Sequence, residues 1–218
     1  MAKLWDEFLY WARHDGLLAL ALTLQAFLFG VVLKISDLLQ EHGFKWFKGS
    51  ANFAGLVNCG QILAILFLCN DAQRLFWLAV CLQWILRARI DGVNHGIFTM
   101  GALVYFLYQG PSVVVHSHEF IYFLGILSVM GLLHDLYQYT NAPAPAWFKW
   151  FLANQHLYYY MVAVGYWFVF AHDYTLIITV WGFVKGYGWL YDERRYRYLA
   201  WFGIKQAKPD PHASPAAA

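Results

Sequence analysis

His134 and Asp135 close one apolar segment and His156 opens the next, across a turn that carries Pro143 and Pro145. Earlier, Asp91, Asn94 and His95 open another apolar run and share one helical face by the i, i+3, i+4 rule. Imidazole is a common ligand for zinc, iron and copper, and a carboxylate can complete a set of three or four. His95, His134, His156 and Asp135 therefore form a candidate site for a transition metal, Zn or Fe. Two histidines on facing helices could instead hold haem iron. The same imidazoles titrate near neutral pH and could act as acid–base groups or relay protons. No HExxH or HxxxH spacing occurs, so any ligand set depends on where the surrounding elements bring these residues.

Those elements are apolar throughout. Of 218 residues, 61% are hydrophobic and 13% charged, against roughly 45–50% and 25% in soluble domains. The excess runs along the whole chain, which a single soluble core does not explain. Trp, Tyr and Phe make up 20% of the residues, and such rings favour bilayer interfaces. A net charge of +2 with scattered basic residues excludes a nucleic-acid partner. The implied partner is a lipid bilayer.

A spanning helix needs about 20 mainly apolar residues to cross a hydrocarbon core of about 30 Å. Seven segments qualify: 16–34, 51–69, 72–88, 92–110, 119–139, 152–171 and 173–191. The third is bounded by Arg74 and Arg87, and crosses if both arginines extend toward head groups. The fold class is thus all-α, a polytopic helical membrane protein with seven transmembrane helices. Residues 1–15 read as an amphipathic interfacial helix, 16–191 as the transmembrane domain, 192–204 as a basic aromatic interfacial segment and 205–218 as a flexible tail. Asp6, Glu7 and Asp15 before the first apolar run argue against a cleavable signal.

Basic residues set the orientation. With seven spans, one side carries Lys3, Arg13 and Arg74, three in all, and the other carries eleven of the remaining Lys and Arg. Cytoplasmic loops hold the excess. The N-terminus is then outside and the C-terminus cytoplasmic, in a bacterial inner membrane as suggested by the compact size and short loops. Depth follows from about 1.5 Å rise per residue: His95, His134, Asp135 and His156 fall about 6–8 Å inside the cytoplasmic boundary, and Lys185 about 9 Å. Ionisable groups at that depth are costly and usually face a bundle interior. Gln83 lies at a similar level, and one hydroxyl of Tyr158, Tyr159 and Tyr160 can reach the same site.

Lys185 sits between Gly182 and Gly186, a Gly-x-x-x-Gly pair that permits close helix approach. A lysine in the last of seven helices resembles the architecture of retinal-binding microbial rhodopsins. Trp181 stands where that family usually has an acid, however, and the third segment lacks a carboxylate. No family is assigned, and Lys185 is expected to pair with Asp135 or reach lipid phosphate.

The remaining polar residues have plainer readings. Asn58, Gln61 and Gln25 are expected to form interhelical hydrogen bonds near mid-segment. Cys59, Cys69 and Cys81 are packing residues with no CxxC pair. On the outer side, His14, Asp15, Asp71, His116, His118, Glu119, His172 and Asp173 read as solvated loop groups. Three functions fit these features: a metal- or cofactor-binding membrane enzyme acting on a hydrophobic or lipid-like substrate, a non-catalytic subunit of a larger assembly or homo-oligomer, and a proton-linked transporter or channel. The absence of a visible internal repeat and of a mid-segment proline disfavours the third.

Overall fold

The structure, a computed structural model, describes residues 2–87, 92–109, 115–140, 145–153, 156–190 and 195–206. Among these residues lie ten helices: α1 (Ala2–His14), α2 (Gly16–Gln40), α3 (Ser50–Leu68), α4 (Asp71–Leu86), α5 (Val93–Gln109), α6 (Ser117–Thr140), α7 (Ala146–Ala153), α8 (His156–Val169), α9 (Tyr174–Trp189) and α10 (Tyr196–Trp201). Two short strands, β1 (Phe44–Lys45) and β2 (Lys205–Gln206), pair antiparallel.

The chain is all-helical, and the described parts of the seven expected segments are mainly helical. Three of them are long and apolar enough to cross a membrane: α2, α3 and residues Ser117–Tyr137 of α6. Shorter apolar stretches run over His95–Tyr108 and Leu157–Val169. Boundaries differ in two places. α2 continues to Gln40, six residues past the expected end, because Ile35, Leu38 and Leu39 continue its apolar face around Lys34 and Asp37. Ahead of the expected start at residue 152, Ala146–Ala153 form the helix α7, whose first turn closes on the Pro145 carbonyl. Trp147 and Trp150 of α7 are exposed.

Local chemistry sets the helix starts. The Asn70 side chain accepts from Gln73 N at 3.0 Å to cap α4. Asp173 accepts from Leu176 N at 2.9 Å to cap α9. Each cap satisfies a first-turn donor that the helix leaves free.

α4 occupies the centre, with every residue from Leu75 to Cys81 buried. That position suits an apolar helix of only 16 residues: protein surrounds its middle, while Ile85 and Leu86 at its end are exposed. Phe29 of α2 makes ring contacts with Trp77 of α4, Phe98 of α5 and Phe183 of α9, joining four helices. α2 and α9 cross most closely, at three glycines. A Cβ at Gly30 would overlap the Phe183 carbonyl, one at Gly182 would lie 2.5 Å from the Thr23 carbonyl, and one at Gly186 would overlap the Phe27 carbonyl. The expected close approach of α9 at its Gly-x-x-x-Gly pair is present.

The connections gather at two ends. At one, Trp11 donates to Thr175 Oγ1 at 2.9 Å, His172 Nδ1 lies 2.8 Å from Glu7, and Asn70 donates to Asp173 at 2.9 Å. Glu119 joins this end, accepting from Tyr166 at 2.7 Å and lying 3.2 Å from His116 Nδ1. At the other end, β1 after α2 pairs with β2 near the C-terminus. Residues 205 and 206 of the expected flexible tail are therefore held in a ladder, and residues 207–218 lie outside the described residues. The outer faces expose large apolar groups along their length, among them Leu20, Leu24, Leu56, Phe67, Val104 and Leu107.

Candidate functional site

The end that carries β1 also carries the polar residues singled out by depth. The structure divides them between two partner sets. The first forms around Asp37, which the α2 extension buries. Gly30, Lys34, Asp37 and Glu41 recur at i, i+4, i+7, i+11 and so share one face of α2. The glycine crossing brings that face against α9, and the start of α5 closes over it.

His95 Nε2 of α5 lies 2.9 Å from Asp37 Oδ1. Tyr187 of α9 donates its hydroxyl to Asp37 Oδ2 at 2.6 Å. Lys34 is buried and stands over the Tyr187 ring, 5.3 Å from its centroid. Glu41 at the helix C-cap completes the group: one ligand atom each from Asp37, Glu41 and His95 lies within 4.8 Å of the others. Among the described residues this is the one cluster of three His, Cys, Asp or Glu side chains able to hold a metal ion.

The second set forms around Asp135 of α6. Arg87, at the end of α4, donates Nε to Asp135 Oδ2 and Nη2 to Asp135 Oδ1, both at 2.8 Å. Its Nη1 donates to Gln83 Oε1 at 2.8 Å. The paired side chains are only 5% and 15% exposed. Gly131, one turn before Asp135, makes the room: a Cβ there would lie 2.6 Å from Arg87 Cζ. Tyr158 of α8 interacts with the same guanidinium. The expected extension of Arg87 to head groups is thus replaced by a buried fork-to-fork ion pair, since a guanidinium matches a carboxylate bidentately.

Aromatic rings of α4 and α5 flank the first set. Trp84 stacks edge-on against Phe98 at 5.5 Å, and Phe98 in turn meets the His95 ring at 6.0 Å. His134 is buried in the same turn as Asp135 but does not belong to the Asp37–Glu41–His95 group. The side chain of His156 lies outside the described residues, as do Asp91 and the side chain of Asn94. Lys185 is exposed on the outside of α9, and Asp135 is held by Arg87. Of the expected ligands whose side chains are described, His95 enters the metal-competent cluster and His134 and Asp135 do not; Asp37 and Glu41 supply the carboxylates.

The sequence held one signal for Asp37 that an apolar-run reading passes over. Ending the segment at Lys34, its first charge, hides the continuing period of Leu33, Ser36, Asp37 and Leu38, all of them buried. Mid-bundle, Gln25 donates weakly to the Gln61 carbonyl at 3.5 Å. The fully buried Asn58 amide has no hydrogen-bond partner among the described residues, contrary to its expected interhelical bond.

No protein-family model, curated protein or solved structure matches this chain. The class is therefore defined by fold and site alone: an all-helical bundle with three helices able to cross a membrane and a buried polar site at one end.

Proposed function

We propose that this chain is a seven-span inner-membrane enzyme, N-terminus outside and C-terminus cytoplasmic, with a metal centre at its cytoplasmic end. The observation that carries the reading is the convergence of Asp37, Glu41 and His95 within 4.8 Å. Two oxygens and one nitrogen suit Zn or Fe and leave coordination positions open, as catalytic sites do. A bound ion would supply Lewis acidity and an activated water near neutral pH. Asp37 and Glu41 provide the negative charge. Tyr187 orients the Asp37 carboxylate through its hydroxyl, the kind of support that ligating carboxylates receive from neighbouring side chains. The apolar exterior beside this end favours a lipid-like substrate entering from the bilayer. The Arg87–Asp135 pair braces α4 against α6 behind the site.

The test is elemental analysis of detergent-purified protein beside His95→Ala. About one Zn or Fe per chain in the wild type, and far less in a variant of unchanged helicity, is the expected result. Stoichiometric metal in both His95→Ala and Asp37→Ala would remove this reading.

A further inference from the structure

We infer that Gln73 of α4 and Thr179 of α9 hold a water molecule between them, inside the bundle at the end opposite the Asp37 site. Both side chains are buried, Gln73 at 0% exposure and Thr179 at 1%. The Gln73 carboxamide has no hydrogen-bond partner among the described residues at its nitrogen or its oxygen, and the Thr179 hydroxyl has none either. Buried polar groups are normally paired, by protein or by ordered water.

Register sets the two residues face to face. α4 and α9 both start at this end, where Asn70 donates to Asp173 at 2.9 Å. Further in, Trp77 meets Phe183 edge-on at 5.3 Å. Asn70, Gln73 and Trp77 recur at i, i+3, i+7 and so share one stripe of α4. Thr179 stands four residues before Phe183 and shares its stripe of α9. Gln73 and Thr179 therefore lie on facing stripes, each one turn nearer the end than the Trp77–Phe183 contact.

Neither residue takes the partner its own helix offers. A helical threonine can donate to the carbonyl four residues back. Thr23 of α2 does so, to Ala19 at 2.7 Å. Thr179 leaves that bond unmade. At residue 73, the Asn70 cap takes the main-chain amide and not the side chain.

The surroundings select a small neutral ligand. A carboxamide offers both donors and an acceptor, and a hydroxyl offers one donor and accepts as well. The charged groups beside them are already engaged. Arg74 pairs with Asp71 and donates to the Leu66 carbonyl, while Asp173 holds Asn70 and caps α9. The contacts on either side of the pair are seven residues apart on α4, about 10 Å, and Gln73 itself occupies part of that height. Trp11 of α1 closes the outer side by donating to Thr175, one turn nearer the end than Thr179. Phe29, Trp77 and Phe183 meet ring to ring on the inner side. Water, which donates and accepts in a small volume, fits this enclosure.

Thermal unfolding of the full chain in detergent tests the site, using Gln73→Met, Thr179→Val and the double variant. Each single change should lower Tm by about 2–4 °C, since it removes one partner of the water and leaves the other poorly paired. The double variant should fall little further than the worse single variant, because both changes lose the same bridge. Thr23→Val is the control: its hydroxyl bonds within its own turn, and Tm should shift by less than about 2 °C. An unchanged or raised Tm in the single variants overturns the site, because removing a polar group that has no partner relieves a cost. Losses that add in the double variant overturn the shared ligand. A density map of the wild-type chain that resolves ordered water gives the direct reading, and it decides alone if a variant fails to fold. One water-sized peak within hydrogen-bond distance of Gln73 and Thr179 is expected. A map with no peak there overturns the site, and a larger peak overturns its assignment to water.

Discussion

Arg87 and Asp135 stand 48 residues apart and meet through two parallel hydrogen bonds of 2.8 Å each. The pair ties the last turn of α4 to α6 inside the bundle. Removing one partner of such a pair strands a buried charge, whereas removing both does not. Arg87→Met or Asp135→Leu alone should therefore cost about 3–5 kcal/mol. The double variant should cost clearly less than the sum. Thermal unfolding in detergent, arranged as a double-mutant cycle, reads the coupling directly; additive losses would mean the pair does not form.

Gly131 is the seat of the Arg87 guanidinium. Gly131→Leu would drive a side chain into the space that Arg87 fills, since even a Cβ at residue 131 would lie 2.6 Å from Arg87 Cζ. A loss of about 1–3 kcal/mol is expected from overpacking. Because the damage acts through the ion pair, it should shrink in the Arg87→Met/Asp135→Leu background. An unchanged loss in that background would disconnect Gly131 from the pair.

The α2–α9 crossing depends on the absence of side chains at Gly30, Gly182 and Gly186. Gly186→Val drives Cβ into the Phe27 backbone, which cannot move as a side-chain tip can. Loss of folded protein, or destabilisation of at least about 3 kcal/mol, is expected. Gly60→Ala is the control, since a Cβ there meets nothing within 4 Å. Similar melting temperatures for the two variants would contradict the crossing.

Tyr187 holds Asp37 at 2.6 Å without being a ligand candidate itself. If Asp37, Glu41 and His95 bind a metal, Tyr187→Phe should weaken the affinity about 10–100-fold while leaving the fold intact. Competition with a coloured chelator measures it. Wild-type affinity in Tyr187→Phe would show that the hydroxyl does not orient a ligand.

Orientation can be tested with single introduced thiols. Cys69 and Cys81 are buried and Cys59 is half-buried, which keeps the background low. A membrane-impermeant maleimide added to intact cells should label Lys3→Cys, and should reach Lys205→Cys only after permeabilisation. The reverse pattern would invert the topology and put the Asp37 site on the outer face.

Much of the architecture was readable from the chain. Apolar runs of 17–21 residues marked every long helix, because hydrophobic length is a local property of consecutive residues. The Gly182/Gly186 spacing marked the tight crossing for the same reason. His95 stood out in the sequence as a polar residue at a helix start, and the structure places it against Asp37. Asp37 was not, because a lone acid after Lys34 looks like the end of a segment until α2 is seen to continue beneath α5 and α9.

The amino-acid order by itself determined which stretches are helical, which faces are apolar and where polar groups interrupt them, since each follows from neighbours within a few turns. Only the tertiary structure decided which polar groups meet: Asp37 with His95 and Tyr187, Asp135 with Arg87, Lys45 opposite Lys205. Those pairings depend on how helices distant in sequence cross and how far each slides along its neighbour. Glycine contacts and the volume of the aromatic core set both, and no local pattern of residues records them.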